Sequence, residues 1–209
     1  MRNPANIHQA IHLGINWIGL IFYKKSPRFF EMENGKWKME NEKTNFQLSI
    51  FNFQLPKVGV FVNASIDEME ETALRYRLDY LQLHGNESPE VCDKLKGRGF
   101  ALIKAFPIAS EEDINLTRDY EGIADYFLFD TKCEGFGGSG ESFDWSVLNI
   151  YEGKRPFLLS GGINPDSTEA IRNFHHPRWA GIDLNSGFET EPGLKDIGKL
   201  SHFIRDIRS

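Results

Sequence analysis

Two stretches near the C-terminus decide the fold: Pro156-Phe-Leu-Leu-Ser-Gly-Gly162 and Ala180-Gly-Ile-Asp-Leu-Asn-Ser-Gly187. Each is a short apolar run that ends in a glycine-containing turn. Phe157 and Ile182 lie 25 residues apart, the length of one strand, one helix and their loops. Glycines at the C-terminal end of a buried strand let the backbone approach a ligand and aim its N–H groups at it. In (β/α)₈ barrels a phosphate is commonly held by the loops after the last two strands, with help from a short helix N-terminus. Either turn alone reads equally well as an ordinary strand-to-helix connection. The pair, one βα unit apart, points to a phosphate site.

Outward from these two runs the same alternation continues. Strands are predicted at Trp17–Tyr23, Val58–Val62, Tyr80–Leu83, Ala101–Phe106, Tyr126–Phe129, Phe157–Leu159 and Gly181–Leu184. All are near-continuous apolar segments, as expected of parallel strands covered on both faces. Capped helices fall between them. Ser65 precedes Ile66–Arg77 with Glu68 completing a capping box, Ser88-Pro89 opens Glu90–Lys96, Ser110 precedes Glu111–Tyr120, and Asn164-Pro165 opens Asp166–Phe174. A last helix is expected over Lys195–Arg208. The fold class is therefore α/β, a (β/α)₈ barrel.

Two places depart from the pattern. Residues 31–56 repeat themselves (Met32-Glu-Asn and Met39-Glu-Asn, then Asn45-Phe-Gln-Leu and Asn52-Phe-Gln-Leu) and have a weak helical period. They read as a diverged or inserted segment of a single domain spanning residues 1–209. At the start, Met1-Arg-Asn-Pro-Ala-Asn-Ile leads directly into a helix, with Asn3 as cap and Pro4 at its first position. Seven strands are thus visible where a closed barrel has eight.

The chain has 209 residues, enough for one sizeable core and near the lower limit of ~200 for such a barrel. A net charge of −6 with dispersed basic residues argues against a nucleic-acid surface. No apolar run reaches the ~18 residues of a membrane span and the N-terminus is unlike a signal peptide, so a cytoplasmic location is expected. Cys92 and Cys133 form neither a disulfide framework nor a metal-ligand pair, and no metal site is expected.

Several residues are placed for chemistry. Asp130 ends an apolar strand, where barrel enzymes keep acid–base groups, although a loop-forming or capping aspartate fits the same position. The run Gly135-Phe-Gly-Gly-Ser-Gly140 after it lacks the Lys-Ser/Thr of a phosphate loop and reads as a mobile loop over the site. Arg28, just past the first visible strand, could pair bidentately with a substrate carboxylate or stand as a solvated charge. His84 also terminates a strand, in Leu81-Gln-Leu-His-Gly85, and is balanced between a ligand contact and a structural role. Lys104, inside a strand, reads as one half of an ion pair, and Cys133 as an inert loop thiol, since no partner for a thiolate is visible.

As an ordered set, these segments resemble the N-(5′-phosphoribosyl)anthranilate isomerase family of tryptophan biosynthesis. The matching stretches are Gly19-Leu-Ile-Phe-Tyr-Lys-Lys-Ser-Pro-Arg28, Lys57-Val-Gly-Val-Phe-Val-Asn63, Leu81-Gln-Leu-His-Gly-Asn-Glu-Ser-Pro89, and Leu128-Phe-Asp130 with Gly137-Gly-Ser-Gly140. Phe143-Asp-Trp145, Leu159-Ser-Gly-Gly-Ile-Asn-Pro165 and Asp183-Leu-Asn-Ser-Gly-Phe-Glu189 complete them. The resemblance implies a cofactor-free Amadori rearrangement of a small phosphoribosyl substrate by a monomer or homodimer. It implies Asp130 as general acid, Arg28 as the grip on the anthranilate carboxylate, His84 as a substrate contact, and Gly161, Gly162, Ser186 and Gly187 as the phosphate loops. It gives the base to a cysteine at the tip of a first strand, in a pattern of which Met1-Arg-Asn-Pro is the continuation. A seven-stranded barrel with impaired activity is the corresponding expectation. Two other readings remain: a different phosphosugar isomerase barrel, and a non-catalytic phosphate-binding remnant.

Overall fold

The apolar runs pair side by side. In a computed structural model, which describes residues 1–31, 54–132 and 144–209, seven parallel strands form one curled sheet in the order β1-β2-β3-β4-β5-β6-β7. They are β1 (Ile18–Ile21), β2 (Lys57–Phe61), β3 (Tyr80–Leu83), β4 (Ala101–Ile108), β5 (Tyr126–Thr131), β6 (Phe157–Leu159) and β7 (Trp179–Ile182). The order follows the chain. Beyond β7 lies a short antiparallel hairpin, β8 (Glu189–Glu191) with β9 (Leu194–Lys195), which the sequence reading did not anticipate. Most of the 31–56 excursion and the whole 135–140 glycine run, with Cys133, fall outside the described residues.

The helices start where their caps predict. Asn3 accepts from the Asn6 N–H ahead of α1 (Pro4–Ile11), and Ser65 from the Glu68 N–H ahead of α2 (Ile66–Tyr76). The others are α3 (Pro89–Gly97), α4 (Glu111–Asn115), α5 (Thr168–Asn173) and α6 (Ile197–Arg208). Two predicted helices are broken: Leu116–Tyr120 and Pro165–Ser167 are 3₁₀ turns, the latter fixed by a reciprocal Asn164–Ser167 cap. The last helix begins later than expected because Asp196 caps it, leaving Lys195 to β9.

Inside the sheet, side chains stack in layers from alternate strands, as in closed barrels. Trp17, just before β1, stacks on Tyr80 of β3 at 4.7 Å and meets Tyr126 of β5 edge-on at 5.2 Å, plugging the N-terminal end. Val58, Ile103 and Leu158 of the even strands pack above them. Outside, a larger core of Phe106, Phe127, Phe129, Phe157, Phe188 and Phe203 joins sheet to helices. Removing one such ring, as in Phe129→Ala, should cost about 3–5 kcal/mol.

At the outer edge of β1, Gly19 and Ile21 direct their carbonyls away from β2. The Met1 amino group donates to Gly19 O at 2.8 Å and the Phe30 N–H to Ile21 O at 2.7 Å. Local chain thus covers part of this edge.

Candidate active site

Strand polarity puts the C-terminal tips of β1, β3, β5, β6 and β7 around one end of a cavity of about 1050 Å³, which continues through the sheet interior to Trp17 and Tyr126. Arg28, His84, Asp130, Gly161, Gly162 and Ser186 all line it, so the residues singled out on separate segments meet in space. Gly187 does not line it. It sits where the loops after β6 and β7 touch, and a Cβ there would come within 2.4 Å of Ile163 O and 3.0 Å of Asn164 Cα.

The centre of the cavity is a polar chain. His84 Nε2 lies 3.0 Å from Asp130 Oδ2, and Gln82 Nε2 lies 2.9 Å from His84 Nδ1. With the Gln82 amide donating to Nδ1, the imidazole proton sits on Nε2 and points at the carboxylate. The second oxygen of Asp130 accepts from the Thr131 N–H at 2.9 Å, which fixes the carboxyl plane. Gly161, with φ +81°, lies against this group: a Cβ would fall 2.7 Å from Asp130 Oδ1 and 2.5 Å from Thr131 N. Only glycine has both the left-handed backbone and the clearance required there.

His84 is held from behind the sheet. Lys104, expected to form an ion pair, does so on the outward face of β4: Nζ donates to Leu83 O at 3.1 Å, Gly85 O at 2.8 Å and Glu87 Oε2 at 3.2 Å. Glu87 in turn accepts from the Asn63 N–H at 2.8 Å and the Gly85 N–H at 3.0 Å. Both charges are buried, and the backbone on each side of His84 is fixed by them. Burial pulls the Lys104 ammonium below its ordinary pKa, with Glu87 opposing.

Arg28 reaches the cavity rim, and its Nε donates to Glu189 Oε2 at 2.8 Å. Glu189 also binds Lys195 Nζ at 3.1 Å through its other oxygen. Burial pushes the Glu189 carboxyl up, but the charges and hydrogen bonds of Lys195 and Arg28 outweigh it and hold the group below the usual value. Lys195 donates further to Leu184 O and Asn185 O, each at 3.0 Å, and so ties down the loop that leads into Ser186. Burial lowers the Lys195 ammonium, Glu189 and Asp183 opposing. Asp183, Glu189 and Lys195 were missed as site residues. Asp183 carries the signal that drew attention to Asp130, a carboxylate just past a strand tip, whereas Lys195 comes in through a hairpin with no clear pattern.

Among the described residues no set of three His, Cys, Asp or Glu side chains is placed to hold a metal. Cys92 lies buried in the layer between sheet and helices, its thiol pushed up to about 11 by burial. No described helix is long and apolar enough to cross a membrane.

Glycine loops after the last two strands, with polar side chains at earlier strand tips around one cavity, are the layout of (β/α)₈-barrel proteins that work at their C-terminal face, and the chain has that layout. Residues 1–206 match the family described as N-(5′phosphoribosyl)anthranilate (PRA) isomerase, and the chain belongs to that family. A protein of Parabacteroides distasonis named N-(5′-phosphoribosyl)anthranilate isomerase is 61% identical over 207 residues, covering 99% of this chain and 90% of that protein. The crystal structure of phosphoribosyl anthranilate isomerase from Thermotoga maritima aligns with TM-score 0.83 at 31% identity, over 100% of this chain and 95% of that one. A structure of such an isomerase in complex with reduced 1-(o-carboxyphenylamino)-1-deoxyribulose 5-phosphate aligns with TM-score 0.81 at 27% identity, with the same coverage.

Proposed function

We propose that this chain is a phosphoribosylanthranilate isomerase, converting N-(5-phosphoribosyl)anthranilate to 1-(2-carboxyphenylamino)-1-deoxyribulose 5-phosphate in tryptophan biosynthesis. One observation supports the reading: a single cavity is lined by Asp130 hydrogen-bonded to His84, by Gly161 and Gly162, and by the Arg28 guanidinium. A substrate with a phosphate at one end and a carboxylate at the other would use both the glycine loops and the guanidinium.

In the proposed reaction the phosphate lies against the backbone N–H groups of Gly161, Gly162 and the Ser186–Gly187 turn, with the close packing of Gly187 holding the two loops together. Arg28 takes the anthranilate carboxylate, for which Glu189 is the resident partner. Asp130 protonates the ribose ring oxygen, the bond from that oxygen to C1′ breaks, and the anthranilate nitrogen lone pair forms a Schiff base. A base then removes the C2′ proton to give an enolamine. Tautomerisation puts a proton on C1′ and releases one from the C2′ hydroxyl, leaving the ketone. For this step Asp130 must itself carry the proton, and His84, hydrogen-bonded to it, positions the carboxyl.

The resemblance gives the C2′ proton to a strand-tip cysteine with no counterpart in residues 1–209, and Cys92 is remote from the cavity. Slow turnover is therefore expected from these 209 residues alone. One barrel domain acts without cofactor on a small phosphoribosyl substrate in the cytoplasm, as monomer or homodimer. The deciding test is titration of the chain with the reduced product. Tight binding that Arg28→Ala weakens far more for this ligand than for a bare pentulose phosphate supports the reading; equal weakening of both removes it.

A further inference from the structure

The first helix carries two histidines that neither the core nor the cavity uses. In α1 the buried positions are Pro4, Asn6, Ile7 and Ala10. The helical period then brings His8 and His12, four residues apart, together on the opposite, exposed face. Their ring centroids lie 4.4 Å apart, with the planes tilted by 52°. Neither ring lines the cavity.

The hydrogen bonding of the pair sets its ring nitrogens. His12 Nδ1 lies 2.8 Å from His8 O. A carbonyl can only accept, so Nδ1 carries the proton and the lone pair of Nε2 is left free. A ring proton spent on a backbone carbonyl is also what orients metal-ligating imidazoles. Closing the last helical turn accounts for His12 alone; among the described residues the His8 ring makes no hydrogen bond, only the contact with its neighbour. Two metal–nitrogen bonds of about 2.0–2.1 Å, set roughly 90–109° apart, hold imidazole centroids about 4.5–5.2 Å from each other. The observed spacing reaches that range by a small opening of two exposed side chains. An ion there lies over the C-terminal turn of α1, whose carbonyl end favours positive charge. Arg208 directs its guanidinium past the helix, to Leu13 O and Gly14 O.

We infer that His8 and His12 form a two-imidazole site for a divalent late transition ion, of the chemistry of Zn²⁺ or Cu²⁺, with water completing its coordination. Two protein ligands make it an open site, separate from the cavity. The ion clamps the helix whose Asn6 exchanges hydrogen bonds of 2.8 and 2.7 Å with the Lys195 backbone, so binding stabilises the helix that supports the β8–β9 hairpin.

The test is Cu²⁺ added to the whole chain in a non-coordinating buffer near neutral pH. Among these ions Cu²⁺ binds nitrogen ligands most tightly, and pulsed EPR counts the imidazoles on it. Below one ion per chain the wild type should show two coordinated imidazoles, and so should His175→Asn, which removes another exposed ring. His8→Asn and His12→Asn should each show one or none. By calorimetry each single variant should bind about tenfold or more weakly than wild type, and the double variant hardly more weakly than either, because loss of one ring already abolishes the chelate. A wild-type count below two overturns the inference, as does a count of two that survives either single substitution or is lost in His175→Asn. Losses that add in the double variant, or stay within about threefold in either single one, overturn it as well, since independent rings behave so. Where a loss falls between these limits, the imidazole count decides.

Discussion

Replacing Gly161 with alanine should cost the site more than it costs the fold. A β-carbon at this φ of +81° would sit 2.5 Å from Thr131 N and 2.7 Å from Asp130 Oδ1. Ordinary contact begins near 3.4 Å, so the neighbours must yield by 3.4 − 2.5 = 0.9 Å and 3.4 − 2.7 = 0.7 Å. The left-handed backbone adds about 1–2 kcal/mol of strain. Thr131 N is backbone of β5, paired to β4, so its overlap is relieved by a shift of the Gly161 turn, while the Asp130 carboxyl, held by one N–H and one imidazole, is pushed aside. A displacement near 1 Å of a reacting group costs roughly 10²-fold in rate. Gly161→Ala should therefore cut turnover about a hundredfold, in any form of the chain that turns over, while shifting the thermal midpoint by only a few degrees. The assay is the anthranilate chromophore followed in single turnover, beside a melting curve. Turnover within threefold of the parent would refute the claim that Gly161 is required for the placement of Asp130.

Asp130→Asn should lower turnover by about 10²–10⁴-fold and leave affinity for the reduced product nearly unchanged, as stopped-flow and titration would report. Lys195→Met leaves Glu189 facing only Arg28 and frees the Leu184 and Asn185 carbonyls; a loss of about 3–5 kcal/mol in chemical denaturation is expected, with weaker phosphate binding. Glu189 has its folded pKa below the ordinary value, so its stabilising contribution is complete above the unfolded pKa and vanishes as pH falls through the folded one. Denaturation curves from pH 6 downward should show this acid limb, and Glu189→Gln should flatten it. A strand with Cys-Gly at its tip, fused ahead of Met1, should displace the Met1 amino group from Gly19 O and raise turnover; the same fusion with alanine for cysteine should raise the melting temperature alone.

The sheet was readable because each parallel strand must be apolar on both faces and each helix must be capped: Tyr80–Leu83 and Phe157–Leu159 are placed to the residue. The candidate site was readable where a polar residue ends an apolar strand, as with Asp130 and His84, which line one cavity. Legibility ends where geometry is set by distant chain. Lys195 reaches Glu189 through a hairpin whose two strands are three and two residues long, too short for any alternation to register. Nor does spacing reveal that Lys104, one residue among apolar neighbours, points out of the barrel and secures the backbone of His84.

That outward position gives Lys104 and Glu87 an influence on engineering. Exchanging a buried ion pair for well-packed apolar side chains is often neutral or stabilising, so a screen for heat resistance would favour Lys104→Met with Glu87→Leu. Such a variant would melt later and yet release Leu83 O, Gly85 O and the Gly85 N–H at the β3 tip, and the Asn63 N–H just past β2. Thermal tolerance and the aim of the imidazole at Asp130 would then diverge, through substitutions that never touch the cavity.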